Sequence, residues 1–260
     1  MTTQVRPKKW LGQHFLNDLS VAQRIADTVD TAPHLPVLEV GPGMGVLTQF
    51  LQRKERPLKV IELDHESIEY LHQHFPQLQV VEGDFLKEDL NELFCGSDFV
   101  LTGNYPYNIS SQIFFKMLEN RDHIPLCTGM IQKEVAERLA SPPGSRAYGV
   151  LSVFVQVWYD VALLFTVPPG VFSPPPKVQS AVVSLTRNSR TELGCDERLF
   201  RRIVKTVFTM RRKMLRNGMR QILGKDHPML ADPFFNQRPE QLSVEDYITL
   251  TLRVEQEMAQ

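Results

Sequence analysis

The residues able to do chemistry fall into three short clusters. The first is Glu39-Val40-Gly41-Pro42-Gly43-Met44-Gly45, where glycine recurs at every second position behind a run of apolar residues. Glycine at such a turn lets the backbone approach a ligand closely. Dinucleotide-binding turns space their glycines GxGxxG and seat a pyrophosphate on a helix N-terminus, so GxGxG points away from NAD. The second cluster is acidic. Glu62 ends the next apolar run, where a carboxylate can accept both hydroxyls of a ribose, and Asp84 ends the one after. Asp84 could accept a hydrogen bond from an exocyclic adenine amine, with Phe85 packed beside it. A glycine turn alone is commonly tight packing, and a lone acidic strand end is commonly just solvated. Their order along successive runs favours a bound nucleoside. The third cluster is Gly103-Asn104-Tyr105-Pro106-Tyr107-Asn108-Ile109-Ser110. An Asn side-chain oxygen and a nearby backbone carbonyl can accept both protons of a ring-conjugated amine as its nitrogen becomes more tetrahedral. Tyr107 can stack on the base, and Pro106 holds Tyr105 extended so that the turn faces the pocket.

The elements that must hold these clusters are short apolar runs alternating with helical patterns, as in a parallel sheet covered by helices. Strands are expected at Pro36–Val40, Leu58–Asp64, Val80–Phe85, Phe99–Asn104, Leu126–Gln132, Ala162–Val167 and Gln179–Leu185. The fold class is therefore α/β, a Rossmann-like sheet of about seven strands, with ligands at the strand C-termini. In that setting the clusters look like an S-adenosylmethionine-dependent methyltransferase that acts on an amine. From Cys195 onward strand signals vanish, and Leu199, Ile203, Val207, Met214 and Ile222 recur near helical spacing. The expected division is a catalytic domain over 1–186 and a helical RNA-binding domain over 187–260.

Composition removes several classes. With 260 residues, 42% apolar and 23% charged side chains, the chain is globular and large enough for a substantial core. Cys95, Cys127 and Cys195 are odd in number and lack CxxC spacing, so neither a disulfide framework nor a metal site is expected. No run approaches the roughly 18 apolar residues of a membrane span, and Met1 to Lys9 leads into no signal-peptide core. A cytoplasmic protein is expected, with a monomer as the default. The net charge of −1 conceals a segregation: Arg187 to Arg220 carries 11 Lys or Arg against three acids, net +8. The remainder is acidic. Lys205, Arg211, Arg212, Lys213 and Arg216 are the expected contacts to RNA phosphates, although a charge run is commonly a solvated helix face.

Four segments together carry a family resemblance: Leu11-Gly12-Gln13-His14-Phe15-Leu16-Asn17-Asp18, the Glu39 to Gly45 loop, the Asn104 to Ser110 motif, and Pro168 to Val178 with its Phe172-Ser173-Pro174-Pro175-Pro176 core. With these the chain resembles, nearly end to end, the small-subunit (16S) ribosomal RNA adenine N6,N6-dimethyltransferases. The resemblance implies that His14 and Leu16 line the cofactor site and that Gly41, Glu62, Asp84 and Asn104 contact S-adenosylmethionine, with Gly43, Gly45 and Phe85 beside them. It implies that Phe172 closes the target base against Tyr107. Two positions depart from the commonest pattern, since Asn often stands where His14 is and an aliphatic residue where Tyr105 is. The implied substrate is a pair of adjacent adenosines in a hairpin loop near the 3′ end of small-subunit ribosomal RNA, within a pre-ribosomal particle. Three rivals stand beside this: the related large-subunit adenine methyltransferases that confer antibiotic resistance, a binding factor that keeps the fold without the chemistry, and an NAD oxidoreductase.

Overall fold

The computed structural model describes residues 5–259. They fall into two compact units, one made of residues up to Ala136 with Asp160–Arg187 and one of Glu137–Tyr159 with Asn188 onward. In chain order the elements are β1 (Phe15–Leu16), α1 (Leu19–Asp27), β2 (Val37–Val40), α2 (Thr48–Leu51), β3 (Leu58–Glu62), α3 (His65–His74), β4 (Gln79–Glu82), α4 (Leu90–Leu93), β5 (Val100–Thr102), α5 (Ser110–Glu119) and β6 (Leu126–Gln132). There follow α6 (Lys133–Ala140), α7 (Val150–Gln156), β7 (Tyr159–Val167), β8 (Phe172–Ser173), β9 (Ser180–Arg187), α8 (Glu197–Thr209), α9 (Leu215–Leu223) and α10 (Val244–Met258). Among the described residues no helix is long and apolar enough to cross a membrane.

The expected seven strands form one sheet in the order β4-β3-β2-β5-β6-β9-β7. β4, β3, β2, β5 and β6 run parallel, and β9 pairs with β6 antiparallel. The sheet is thus mixed. All four residues of β2 and all three of β5 are buried, as strands covered on both faces by helices require. After β2 the chain moves outward through β3 and β4, then returns to place β5 on the other side of β2. That reversal opens a crevice beyond the C-terminal ends of β2 and β5, which is where open α/β sheets take ligands. The core beneath it packs Ile25 and Val29 with Val37, Phe50, Val100, Met130 and Val182. A separate two-stranded ribbon pairs β1 with β8, Leu16 opposite Phe172.

The second unit differs from the expected 187–260, because residues 137–159 cluster with it. Gly144 N–H donates to the Glu240 carbonyl at 2.6 Å and Asn188 N–H to the Trp158 carbonyl at 3.0 Å. The rings of Phe154, Phe200 and Tyr247 meet in sequence, the first pair tilted at 6.2 Å and the second edge-to-face at 6.5 Å. The helical stripe is also shifted. Met214 is the N-cap of α9 and is 47% exposed, so Leu215, Gly218 and Met219 form the buried face instead. Gly218 lets α9 approach α8, since a Cβ there would lie 2.8 Å from Val207 Cα.

Candidate cofactor and target-base site

A cavity of about 390 Å³ lies in the first unit, at the crevice beyond β2 and β5. It is lined by the glycine turn, Glu62, Asp84, Phe85, the Asn104–Ile109 segment and residues 10–16. Gly41 and Gly43 have φ of +67° and +57°, conformations that L side chains rarely adopt. A Cβ on Gly43 would lie 3.0 Å from the Phe15 ring. Gly45 departs from the expectation: it does not line the cavity, and a Cβ there would run into the Phe75 ring. Glycine there lets the turn pass against Phe75, the residue that follows α3.

Glu62 is held in place by backbone. Its Oε2 accepts from Gly43 N–H at 3.0 Å, and its Oε1 accepts from Leu63 and Asp64 N–H at 2.9 Å each. Burial pushes its pKa up, while these three bonds favour the carboxylate. Asp84 Oδ1 accepts from Leu86 N–H at 3.0 Å, and Oδ2 lies 3.5 Å from the exposed Lys87 ammonium. Behind the turn, Glu39 is fully buried and accepts from the Thr48 hydroxyl at 2.7 Å; burial pushes its carboxyl up to about 8.

The Asn104 motif is fastened to β6. Tyr105 N–H donates to the Met130 carbonyl at 3.0 Å, and the Tyr105 phenol donates to the Thr128 carbonyl at 2.8 Å. The Tyr105 side chain is buried, so its peptide is the part that can serve the cavity. Asn104 Nδ2 donates to the His14 carbonyl at 3.1 Å, and among the described residues nothing donates to its Oδ1. The Tyr107 phenol hydrogen-bonds Ser180 Oγ, and its ring lies 5.2 Å from that of His14. His14 Nδ1–H donates to the Pro174 carbonyl at 2.8 Å. The Ser110 hydroxyl closes the turn on the Pro106 and Tyr107 carbonyls.

Phe172, expected to close the target base against Tyr107, is 3% exposed, lies in the core with Leu16 and Val167, and does not line the cavity. Of the expected RNA contacts, Lys205, Arg212 and Lys213 are exposed. Arg211 differs, because its guanidinium donates to the Ser145 and Arg146 carbonyls within the second unit. Arg216 is half-buried, with a buried Nε.

Residue-type reasoning missed a latch on the N-terminal segment. Lys8 Nζ pairs with Asp64, Gln13 Nε2 donates to Asp64 Oδ2 at 3.1 Å, and Gln13 Oε1 accepts from Lys8 N–H at 2.8 Å. Gln13 belongs to the Leu11 to Asp18 segment, and Asp64 lies two residues past Glu62. Nothing local pairs positions so far apart.

A family model described as "Ribosomal RNA adenine dimethylase" matches residues 5–255. The "Ribosomal RNA small subunit methyltransferase A" of Bacteroides thetaiotaomicron is 66% identical over 254 residues, covering 97% of this chain and 95% of that one. The protein of the same name from Porphyromonas gingivalis is 57% identical over 256 residues, covering 97% and 99%. Among solved structures, a dimethyladenosine transferase from Plasmodium falciparum superposes with a TM-score of 0.78 at 24% identity, covering 94% and 98%, a likeness of fold. The 23S rRNA methyltransferase ErmE superposes with a TM-score of 0.66 at 26% identity, covering 91% and 99%.

Proposed function

This chain belongs to the ribosomal RNA adenine dimethylase family, and from that premise we propose that it dimethylates N6 of two adjacent adenosines in a hairpin loop near the 3′ end of small-subunit ribosomal RNA. Its setting in this reading is a late pre-ribosomal particle in the cytoplasm, where it acts as a monomer in small-subunit maturation. The observation that carries the reading is the acceptor pair at Asn104. Neither Asn104 Oδ1 nor the Tyr105 carbonyl accepts a hydrogen bond from any described residue, and both residues line the cavity.

S-adenosylmethionine fits the donor set. Gly41 and Gly43 have no Cβ to obstruct it, Glu62 retains acceptor capacity beside its three backbone bonds, and among the described residues Asp84 Oδ2 has only the distant Lys87. In this reading Glu62 takes the ribose hydroxyls, Asp84 the adenine amine, and Phe85 the adenine ring. His14, Leu16 and Gly41 border the rest. When bound, S-adenosylmethionine supplies an electrophilic methyl group on sulfur. In the first transfer Asn104 Oδ1 and the Tyr105 carbonyl accept the two N6 protons of the target adenosine, and in the second one of them accepts the proton that remains, which directs the nitrogen lone pair toward that methyl. Attack by that nitrogen would displace the neutral thioether, and the methylated amine would release its proton to solvent. Because that amine is acidic, no strong base is required. Tyr107, its phenol fixed by Ser180, offers its ring face to the target base. RNA phosphates are held by Lys205, Arg212 and Lys213.

The test is methyl transfer from labelled S-adenosylmethionine to small ribosomal subunits lacking the modification, read as nucleosides by mass spectrometry. Dimethyladenosine is expected, with kcat reduced by about 10²-fold or more in Asn104→Ala. Cofactor binding without transfer to small subunits would sink the reading and favour a large-subunit substrate or a binding role.

A further inference from the structure

The chain has two tryptophans, Trp10 and Trp158, in opposite environments. Trp158 is 4% exposed and Trp10 is 72% exposed. Trp10, exposed as it is, lines the cavity that holds Asn104 and Tyr107 and so stands on its rim. A large aromatic ring left in water on the edge of a pocket is apolar surface awaiting a flat partner.

The backbone beneath this indole is held from two sides. It lies in the 3-10 turn Lys9–Leu11, closed by Leu11 N–H on the Lys8 carbonyl at 3.1 Å, and Lys8 is itself paired with Asp64. From the opposite side, Asn108 Nδ2 donates to the Trp10 carbonyl at 3.2 Å. Asn108 also fills the space above Gly12, where a Cβ would lie 2.5 Å from Asn108 Oδ1. Gly12 has a φ of +66°, so this close approach depends on glycine there. The loop that presents Asn104 and Tyr107 therefore also sets where Trp10 stands.

A target adenosine must leave its stack to put N6 into the cavity, and its neighbour then loses a stacking partner on one side. We propose that Trp10 is a stacking platform for the RNA base next to the target adenosine, and that Asn108 is the positioning residue that holds it in register with Asn104. The inference rests on the RNA-methylation reading above. It commits the rim to a base rather than to the cofactor, whose acceptors are the strand-end carboxylates. Base–aromatic stacking tolerates any base, so Trp10 adds affinity for an unstacked strand without selecting its sequence.

The experiment is steady-state methylation of small subunits lacking the modification, with the S-adenosylmethionine dissociation constant measured separately by equilibrium dialysis. Trp10→Ala is expected to raise KM for the subunits about tenfold, the low-to-middle range for losing one stacked base. The S-adenosylmethionine constant should stay within about twofold, a margin well below one stacking interaction. Trp10→Phe, which keeps a flat ring, should recover most of the loss, and Asn108→Ala should raise the same KM. A protein-free RNA hairpin carrying two adjacent loop adenosines should quench tryptophan emission in the unmodified protein but not in Trp10→Phe. An unchanged KM in Trp10→Ala overturns the inference, as does a weakened cofactor constant with KM intact. If the unmodified protein methylates no subunits, the methylation reading fails and this one falls with it. If it methylates and Trp10→Ala matches it, only this inference fails.

Discussion

Tyr105 occupies a slot that exists because residues 103 and 129 are glycines. A Cβ on Gly129 would lie 2.7 Å from Tyr105 Cε2, and one on Gly103 would lie 3.2 Å from the same ring. The phenol closes the slot by donating to the Thr128 carbonyl. Tyr105→Phe leaves that buried carbonyl without its donor, and should lower stability by about 1–2 kcal/mol in denaturant unfolding. Tyr105→Leu also empties part of the slot and should cost roughly 2–4 kcal/mol. Glu39 makes a prediction about pH. Its unfolded pKa is near 4.5 and burial pushes the folded value up to about 8, so the folded state binds the proton more tightly. The stability it contributes is complete below the lower value and is lost as pH rises through the upper one, at up to about 1.4 kcal/mol per pH unit. Glu39→Gln keeps an acceptor for Thr48 and cannot ionise. Thermal midpoints of that variant should decline less between about pH 5 and 8 than those of the unmodified protein.

Among elements, β3 and the start of α3 do most to assemble the site. β3 ends at Glu62, and Asp64, two residues on, caps α3 by accepting from Glu66 N–H while it receives Lys8 and Gln13. Burial works to raise the Asp64 pKa, but the hydrogen bonds from Lys8 and Gln13 outweigh it and hold the carboxyl below its ordinary range. Asp64→Ala removes both cap and latch. It should lower stability by about 1 kcal/mol through the cap alone, and faster amide exchange at residues 8–14 is the accompanying signature of a freed segment. Equal exchange there would show that Asp64 does not hold it. The strands were legible because each is a local run of apolar residues: the expected Pro36–Val40 and Leu126–Gln132 match β2 and β6 to within a residue. The antiparallel pairing of β9 was not, since strand direction depends on how the chain returns through β7 and β8.

Over the whole molecule, near-neutral net charge is compatible with polyanion binding because the charge is segregated. Lys205, Arg212 and Lys213 are exposed, whereas Arg211 is spent on the second unit's own carbonyls. Replacing the three exposed residues with alanine should flatten the dependence of log K on log salt for RNA by roughly two, at about 0.7 for each single-strand phosphate no longer neutralised. Arg211→Ala should instead show first as a lower thermal midpoint, because it strips donors from two carbonyls. The sequence by itself determined the reaction class and the strands: the spacing of Gly41, Gly43, Glu62, Asp84 and Asn104 is a property of strand ends, and strand ends are set by local apolar runs. Only the tertiary structure decided which way a side chain turns. It put Phe172 in the core and Gly45 against Phe75, joined Lys8 to Asp64, and gathered residues 137–159 with helices that follow much later in the chain. The physical reason is that each depends on packing between segments distant in sequence, which residue type and local periodicity do not encode.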